Sequence, residues 1–259
     1  MGPAKGLVAK RMRRESDLAC GYRVATGRAP GDDDEVIVAD LGKALAAFQE
    51  TLVSGRTPFD RLRTALLVGD HRGAARYPVA AQRGLKLFIG EAGCALCHRG
   101  PHFTHGEFDK AGIPVRGTEG RYDWGRYSGV KAMHASRYNR LSRHDDDPAR
   151  TRAVATRHAA ADMESYGAFR VPGLRNVVHT PPYMHDGSLP TLEAVVRHYS
   201  TIDEVKLHIA AAHPHVEPGE PLPPRPTASV LRTLNLSGAQ VADLVAFLET
   251  LSAPMVAAR

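Results

Sequence analysis

Cys94-Ala95-Leu96-Cys97-His98 is the stretch whose reading decides the fold. Two thiols three residues apart, followed at once by a histidine, form the attachment signature of a c-type haem. The spacing has a mechanical reason. Each cysteine can form a thioether to one vinyl edge of the porphyrin, and His98 then lies under the iron as proximal ligand. Two plainer readings stand beside it. A structural zinc site would need two further ligands, for which His102 and His105 are the near candidates. A redox dithiol of the Cys-x-x-Cys kind would need a βαβ setting, and the surrounding pattern supplies none.

Working outward, the 259 residues are 43% hydrophobic, enough for one or two compact domains. Lys and Arg outnumber Asp and Glu by 34 to 28, an excess that suits docking to an acidic protein. No dense basic run is interleaved with aromatics, so nucleic acid is not an expected partner. The cluster Lys10-Arg11-Met12-Arg13-Arg14 reads as a solvated helix face. Three cysteines leave Cys20 over, expected as a buried or half-buried small apolar residue. No apolar run approaches the roughly 18 residues of a membrane span, and the positively charged N-terminus is not followed by the apolar core of a signal peptide.

The periodicity is mainly helical. Asp32 to Glu35 place acidic groups before a run in which Val38, Leu41, Leu45, Phe48 and Leu52 recur at threes and fours, a helix over 35–53. Pro58 begins a second helix, with Phe59, Leu62, Leu66 and Leu67 on one side. A third, Val79 to Ile89, leads into the haem loop. From Arg99 to Tyr127 the chain turns rich in glycine and aromatics (Phe103, Phe108, Tyr122, Trp124, Tyr127) and reads as loops over a flat ligand. Residues 140–165 read as a surface excursion. Prolines forbid a continuous helix between Phe169 and Gly187. Thr191 caps a new helix, a Pro-rich linker occupies 214–226, and Ser237 caps a last helix with Val241, Leu244, Val245, Leu248 and Leu251 in one stripe.

An iron held by His98 has a sixth position, and what fills it sets the chemistry. Sulfur raises the potential; a phenolate stabilises ferric iron; an open site admits peroxide or oxygen. Candidates are Met184, Tyr199, His185, His198 and Met163. On bare chemistry Met184 ranks ahead of Tyr199, because methionine is the commoner partner of a c-type haem. Core packing for Met184 and a buried aromatic role for Tyr199 are the bland alternatives. Asp186 is placed to orient His185, and Arg175 to pair with a haem propionate or to serve the backbone.

Phe169-Arg-Val-Pro-Gly-Leu-Arg-Asn176, Thr180-Pro-Pro-Tyr-Met-His-Asp-Gly-Ser188 and Thr191-Leu-Glu-Ala-Val-Val-Arg-His-Tyr199 closely resemble the C-terminal half of bacterial di-haem cytochrome c peroxidases. Leu45 to Ser54, Gly84-Leu-Lys-Leu-Phe88 and Gly100-Pro-His-Phe-Thr104 fit as well, so the likeness runs from about residue 36 to the end. The resemblance implies two cytochrome c-like domains, in which the C-terminal haem takes electrons from a cytochrome c or cupredoxin and the N-terminal haem reduces hydrogen peroxide. It implies a calcium ion between the domains and a periplasmic location. Cys94, Cys97 and His98 would then bind the electron-entry haem. In the peroxidases proper, the position matching Tyr199 is a methionine ligand. In the branch that matures the tryptophan tryptophylquinone of methylamine dehydrogenase it is tyrosine. The resemblance therefore reverses the bare ranking and makes Tyr199 the sixth ligand, with Met184 the alternative.

Departures shape the remaining expectations. The family has two Cys-x-x-Cys-His motifs and this chain has one. Trp124 does not match the tryptophan that bridges the two haems. Of the calcium ligands, only the backbone carbonyls matching Thr180 and Pro182 are present. The expected fold is mainly α: residues 1–60 a helical remnant of a second haem domain, and residues 61–259 a cytochrome c-like domain with long loops and one covalent haem c. An N-terminally truncated electron-entry domain is the expected function, with a missing haem domain or a second copy as further partner. Its rivals are a mono-haem electron carrier and a remnant that never receives haem. The apolar stripe from Val38 to Leu52 is expected to lack part of its packing surface.

Overall fold

The computed structural model describes residues 5–113, 123–202 and 231–253. Its helices are α1 (Lys5–Arg14), α2 (Ser16–Thr26), α3 (Asp34–Glu50), α4 (Pro58–Leu67), α5 (His71–Ala74), α6 (Val79–Ile89), α7 (Arg126–Ala135), α8 (Val154–His158), α9 (Leu192–Ser200) and α10 (Gly238–Glu249). One two-residue ladder, β1 (Phe108–Asp109) against β2 (Phe169–Arg170), runs antiparallel with Phe108 opposite Arg170. The fold is mainly α, as the helical periodicity requires. Tyr122 and the Pro-rich stretch 214–226 lie outside the described residues.

The chain divides into two compact units. The first joins residues 1–53 to 133–159. Its core is small: Ala9 and Met12 of α1, Tyr22 of α2 and Ile37 of α3. Asp33 caps α3 by accepting from the amides of Glu35 and Val36. Ile37, not Val38 as expected, starts the buried stripe of α3, with Val38 half-buried; Leu41, Leu45, Phe48 and Leu52 follow along the helix and its C-terminal turn, but the stripe is covered only at its start. Leu45 is 51% exposed, Phe48 60% and Leu52 65%. Residues 140–165 are therefore only partly a free excursion. Arg143 bonds Asp33 and Glu35, Arg137 bonds Glu35, and Lys43 reaches Asp146 at 2.5 Å. Cys20 is exposed, not buried as expected: the inward positions of α2 are taken by Tyr22, whose hydroxyl donates to Asp40.

The second unit, drawn from residues 54–132 and 160–259, is built on α6 and α10. Phe88 and Phe247 meet with ring centroids 4.9 Å apart, and Phe59 and Phe103 pack edge-on around them. Leu192, Val196, Val241, Leu244, Leu248 and Leu251 complete this core. The two helices touch through Gly84, where a Cβ would lie 1.9 Å from the Asp243 carbonyl oxygen. Only glycine permits that approach. Arg83 grips the Asp243 carboxylate with two bonds of 2.7 Å beside the contact.

Local capping fixes the helix starts. Thr57 with Asp60, and Ser237 with Gln240, form reciprocal capping boxes, and Thr191 accepts from the Ala194 amide. In α4 the inward residues are Leu62 and Ala65, while Leu66 and Leu67 are exposed, so the apolar side drawn from the sequence is too wide.

Candidate haem site

The anchor segment is a tight turn hung from the end of α6. The Ala92 amide donates to Leu87, the Gly93 amide to Gly90, and the Leu96 amide to the Gly93 carbonyl. Gly93 sits at φ +66°, a left-handed conformation that glycine adopts without cost. A single 3-10 turn, Cys94–Leu96, then carries the first thiol, and the His98 amide closes it onto the Cys94 carbonyl at 2.9 Å. Both thiols are free and half-buried.

His98 presents one ring nitrogen. Its Nδ1 lies 3.0 Å from the Phe103 carbonyl oxygen, and a carbonyl only accepts, so Nδ1 carries the proton. That leaves Nε2 unprotonated in the neutral ring, the form a metal ligand needs. Burial lowers the His98 pKa and favours this neutral state, against the Phe103 and Pro172 carbonyls, which act the other way. Phe103 holds a left-handed backbone at φ 54° while its ring is buried in the main core, so the carbonyl that sets the tautomer is fixed by packing.

Tyr199 comes from α9 and faces the same place. Burial pushes its hydroxyl up to about 12, and the Cys97 and Cys94 thiols and Asp109 act in the same direction. The phenol is therefore within electrostatic reach of both anchor thiols. His198, one residue earlier, is committed elsewhere: its Nε2 lies 2.7 Å from the Ala111 carbonyl oxygen. Met184 is half-buried at φ +72° in the irregular segment before Gly187. His185 stacks on Phe169 with centroids 3.6 Å apart, and Asp186 accepts from the Ser188 amide. Thr180 and Pro182 are exposed on either side of Pro181. The side chain of Met163 lies outside the described residues.

Two neighbours of the anchor carry no signal of their role in the sequence. The β1–β2 ladder sets Asp109 beside the second thiol, with Cys97 Sγ 3.5 Å from Asp109 Oδ2. His105 joins them, the three ligand-type atoms all lying within 4.8 Å of one another. Burial, followed by Asp109, raises the Cys97 thiol to about 11, and burial raises Cys94 to about 11. His105 answers part of the zinc reading, but its Nδ1 accepts from the Glu107 amide, which places the ring proton on Nε2. Asp109 escapes a sequence reading because a two-residue ladder leaves no periodic trace.

Arg175 does not stand free for a propionate. Its guanidinium forms two 2.9 Å bonds to the Asp60 carboxylate, and its Nε donates to the Pro101 carbonyl. Asn176 bonds the Ala253 amide through its side-chain oxygen and Ser54 through its amide nitrogen. These two adjacent polar residues tie the haem loop and α4 to the chain after α10.

The residues fit a covalently held haem. Two free thiols, a histidine with one nitrogen already occupied, and a phenol within reach of both thiols are the donors such a group needs. Among the described residues no helix is long and apolar enough to cross a membrane.

The chain is 32% identical over 234 residues to the methylamine utilization protein MauG of Methylorubrum extorquens, covering 90% of this chain and 50% of that protein. It is 33% identical to the cytochrome-c peroxidase IdrP1 of Denitromonas iodatirespirans, over 81% of this chain and 48% of that one. A MauG of Paracoccus denitrificans is 30% identical over 96% of this chain and 60% of its own length. Among solved structures, the diheme peroxidase BthA of Burkholderia thailandensis superposes with a TM-score of 0.61 at 21% identity, covering 98% of this chain and 60% of that one. A MauG-like protein associated with microbial copper homeostasis does so at 0.54 and 25%, covering 96% and 62%. No protein-family model matches the chain. The chain thus spans about half the length of the curated relatives it matches.

Proposed function

Since the chain is a relative of MauG and the di-haem cytochrome c peroxidases, we propose that it is a haem c oxidoreductase carrying the electron-entry haem of such a protein. The observation that supports this best is the donor set: His98 with Nε2 left for iron, two free thiols, and Tyr199 within electrostatic reach of both. A covalently held haem supplies one-electron chemistry at its iron. The chain's own residues do the rest. Cys94 and Cys97 would hold the group at the end of α6, the Phe103 carbonyl keeps His98 in the ligating tautomer, and Tyr199 of α9 would supply the second protein ligand to the iron. Met184, half-buried on its irregular segment, is not a ligand in this reading.

Peroxide reduction belongs to the whole protein, with a second haem in another half; this half passes electrons inward. A periplasmic setting follows from where haem c is attached, and calcium at the Thr180 and Pro182 carbonyls would join the halves.

Expression with a c-type maturation system and a pyridine haemochrome assay test the core claim. One covalent haem per chain is expected, and bare polypeptide would overturn it. In that holoprotein Tyr199→Phe should change the ferric spectrum and raise the midpoint potential, while Met184→Leu should leave both alone. A spectrum that follows Met184 instead would reverse the ligand assignment. Peroxide turnover by this chain alone would contradict the division of labour; a reversible one-electron couple without turnover agrees with its electron-carrying role.

A further inference from the structure

Resting on the electron-entry reading, we infer that Asp109 sets the reduction potential of the anchored haem, its carboxylate holding the iron toward the ferric state so that the haem hands its electron on more readily. The two oxygens of that carboxylate have separate places. Oδ1 accepts from the Lys110 amide at 2.9 Å, which fixes the rotation of the group, and Oδ2 is turned to Cys97, 3.5 Å from Sγ. The backbone holds this approach along the intervening loop. The His105 amide donates to the Cys97 carbonyl at 3.0 Å, and the β1–β2 ladder sets Asp109 opposite Phe169. Thr104 ties the loop between them, its hydroxyl donating to the Val171 carbonyl at 2.6 Å and accepting from the Gly106 amide at 2.9 Å. Asp109 is half-buried, so water and salt screen its charge less than they would at an open surface.

Attachment would make the Cys97 sulfur a thioether with no proton to donate. Oδ2 then faces that sulfur without a hydrogen bond, and the carboxylate acts on the haem through its charge. Ferric iron carries one positive charge more than ferrous iron, so a fixed negative charge favours the ferric form. A unit charge about 12 Å away, at an effective dielectric of about 20, shifts the ferric-to-ferrous ratio about tenfold. The same charge reaches the sixth ligand: Asp109 is among the groups that raise the Tyr199 hydroxyl, after burial and the two thiols. The cations at this place are engaged otherwise. Arg99 is exposed and donates to the Leu96 carbonyl, and half-buried Lys110 answers Glu164 and Asp162 as well as Asp109. Asp109 is the carboxylate in contact with an anchor sulfur.

Spectroelectrochemical titration of the holoprotein tests this. Asp109→Asn keeps the shape of the side chain and removes its charge. At a fixed potential it should move the ferric-to-ferrous ratio about tenfold toward ferrous iron, which is about 59 mV for one electron. Asp109→Glu keeps the charge and should stay within about twofold of the parent. The ferric spectrum should be unchanged in both, because His98 and Tyr199 are untouched, and this separates them from Tyr199→Phe. A ratio that moves by less than about twofold in Asp109→Asn would overturn the inference. So would a ferric spectrum that changes as in Tyr199→Phe, since Asp109 would then act by placing the phenol. Asp109→Ser serves as a second uncharged variant. If it and Asp109→Asn both lose covalent haem while Asp109→Glu retains it, Asp109 serves attachment and the inference falls. A parent chain without covalent haem would remove the electron-entry reading itself; a parent haem whose potential is indifferent to Asp109 removes only the role of Asp109.

Discussion

The two units solve the problem of stability differently. The unit of residues 54–132 and 160–259 is held by interdigitated aromatics: Phe59, Phe88, Phe103 and Phe247 meet within 6.4 Å of one another wherever they pair. The unit of residues 1–53 and 133–159 has a small core cluster of Ala9, Met12, Tyr22 and Ile37 among its described residues, and much of what joins its segments is ion pairing on Glu35, Asp33 and Asp146. Burial is strong and insensitive to salt; surface pairing is weak and screened. The aromatic core buries the Phe103 ring, and with it fixes the carbonyl that holds His98 Nδ1, so a ligand role for His98 would find its ring already oriented. The contrast therefore places rigidity where the chemistry needs it.

Core truncations should show the largest effects. Phe247→Ala removes the ring at the centre of the aromatic group and should cost about 3–5 kcal/mol, with the native haem spectrum lost at a lower temperature on heating. Ile37→Ala should cost about 2–4 kcal/mol, read in the helical signal, and leave the haem spectrum unchanged. A haem spectrum that responds equally to both would break the distinction between the units.

Glycine substitutions sharpen it at a smaller scale. At Gly84→Ala the added methyl meets the Asp243 backbone, so α6 and α10 must separate; about 1–3 kcal/mol of destabilisation is expected by denaturant unfolding. A Cβ at Gly42, in the middle of α3, would meet nothing within 4 Å. Gly42→Ala should therefore stabilise, by about 0.4–1 kcal/mol, through the unfolded chain alone. Opposite signs at two helical glycines follow from packing in one unit and its sparseness in the other.

How far the sequence reveals this depends on the kind of interaction. The anchor motif, the bounds of α6 and the caps at Thr191 and Ser237 are legible because each is local: a few neighbouring residues determine the hydrogen bonds. The α3 stripe is legible as periodicity, and the exposure of Leu45, Phe48 and Leu52 agrees with a face short of packing surface. What escapes notice is long-range. Arg175 finds Asp60 across 115 positions, and nothing near either residue announces the other. Asp109 reaches Cys97 only because a two-residue ladder folds it back. Cys20 is exposed because Tyr22 takes the inward direction, a choice that helix periodicity alone leaves undecided.

The Arg175–Asp60 pair gives the next test. The Arg175 guanidinium, then the Thr57 amide and hydroxyl, hold the Asp60 carboxyl well below the usual carboxylate range, against the cost of burial. A carboxyl with a depressed folded pKa contributes fully above its unfolded value of about 4 and loses that contribution as pH falls toward the folded value. Asp60→Asn should cost about 1–2 kcal/mol at neutral pH, allowing for solvent screening of a pair whose side chains keep 22% and 23% of their surface. The variant should also lose less stability than the parent between about pH 4 and 2. An equal acid loss in both would show that Asp60 is not the group that titrates.

The smallest effect should come from Glu35, where the first unit's ion pairs converge. Arg137 lowers its pKa through a hydrogen bond, and the Arg137 and Arg143 charges add to this, while burial and Asp33 oppose. By the same sign rule its contribution is complete above the ordinary glutamate value and fades as acid protonates it. Glu35→Gln should therefore lower Tm slightly at neutral pH and low salt, by less than Ile37→Ala. At about 1 M salt, where screening acts within about 3 Å, parent and variant should melt together. Should the difference survive both high salt and low pH, Glu35 acts by packing or capping, and the first unit is less electrostatic than its contacts imply.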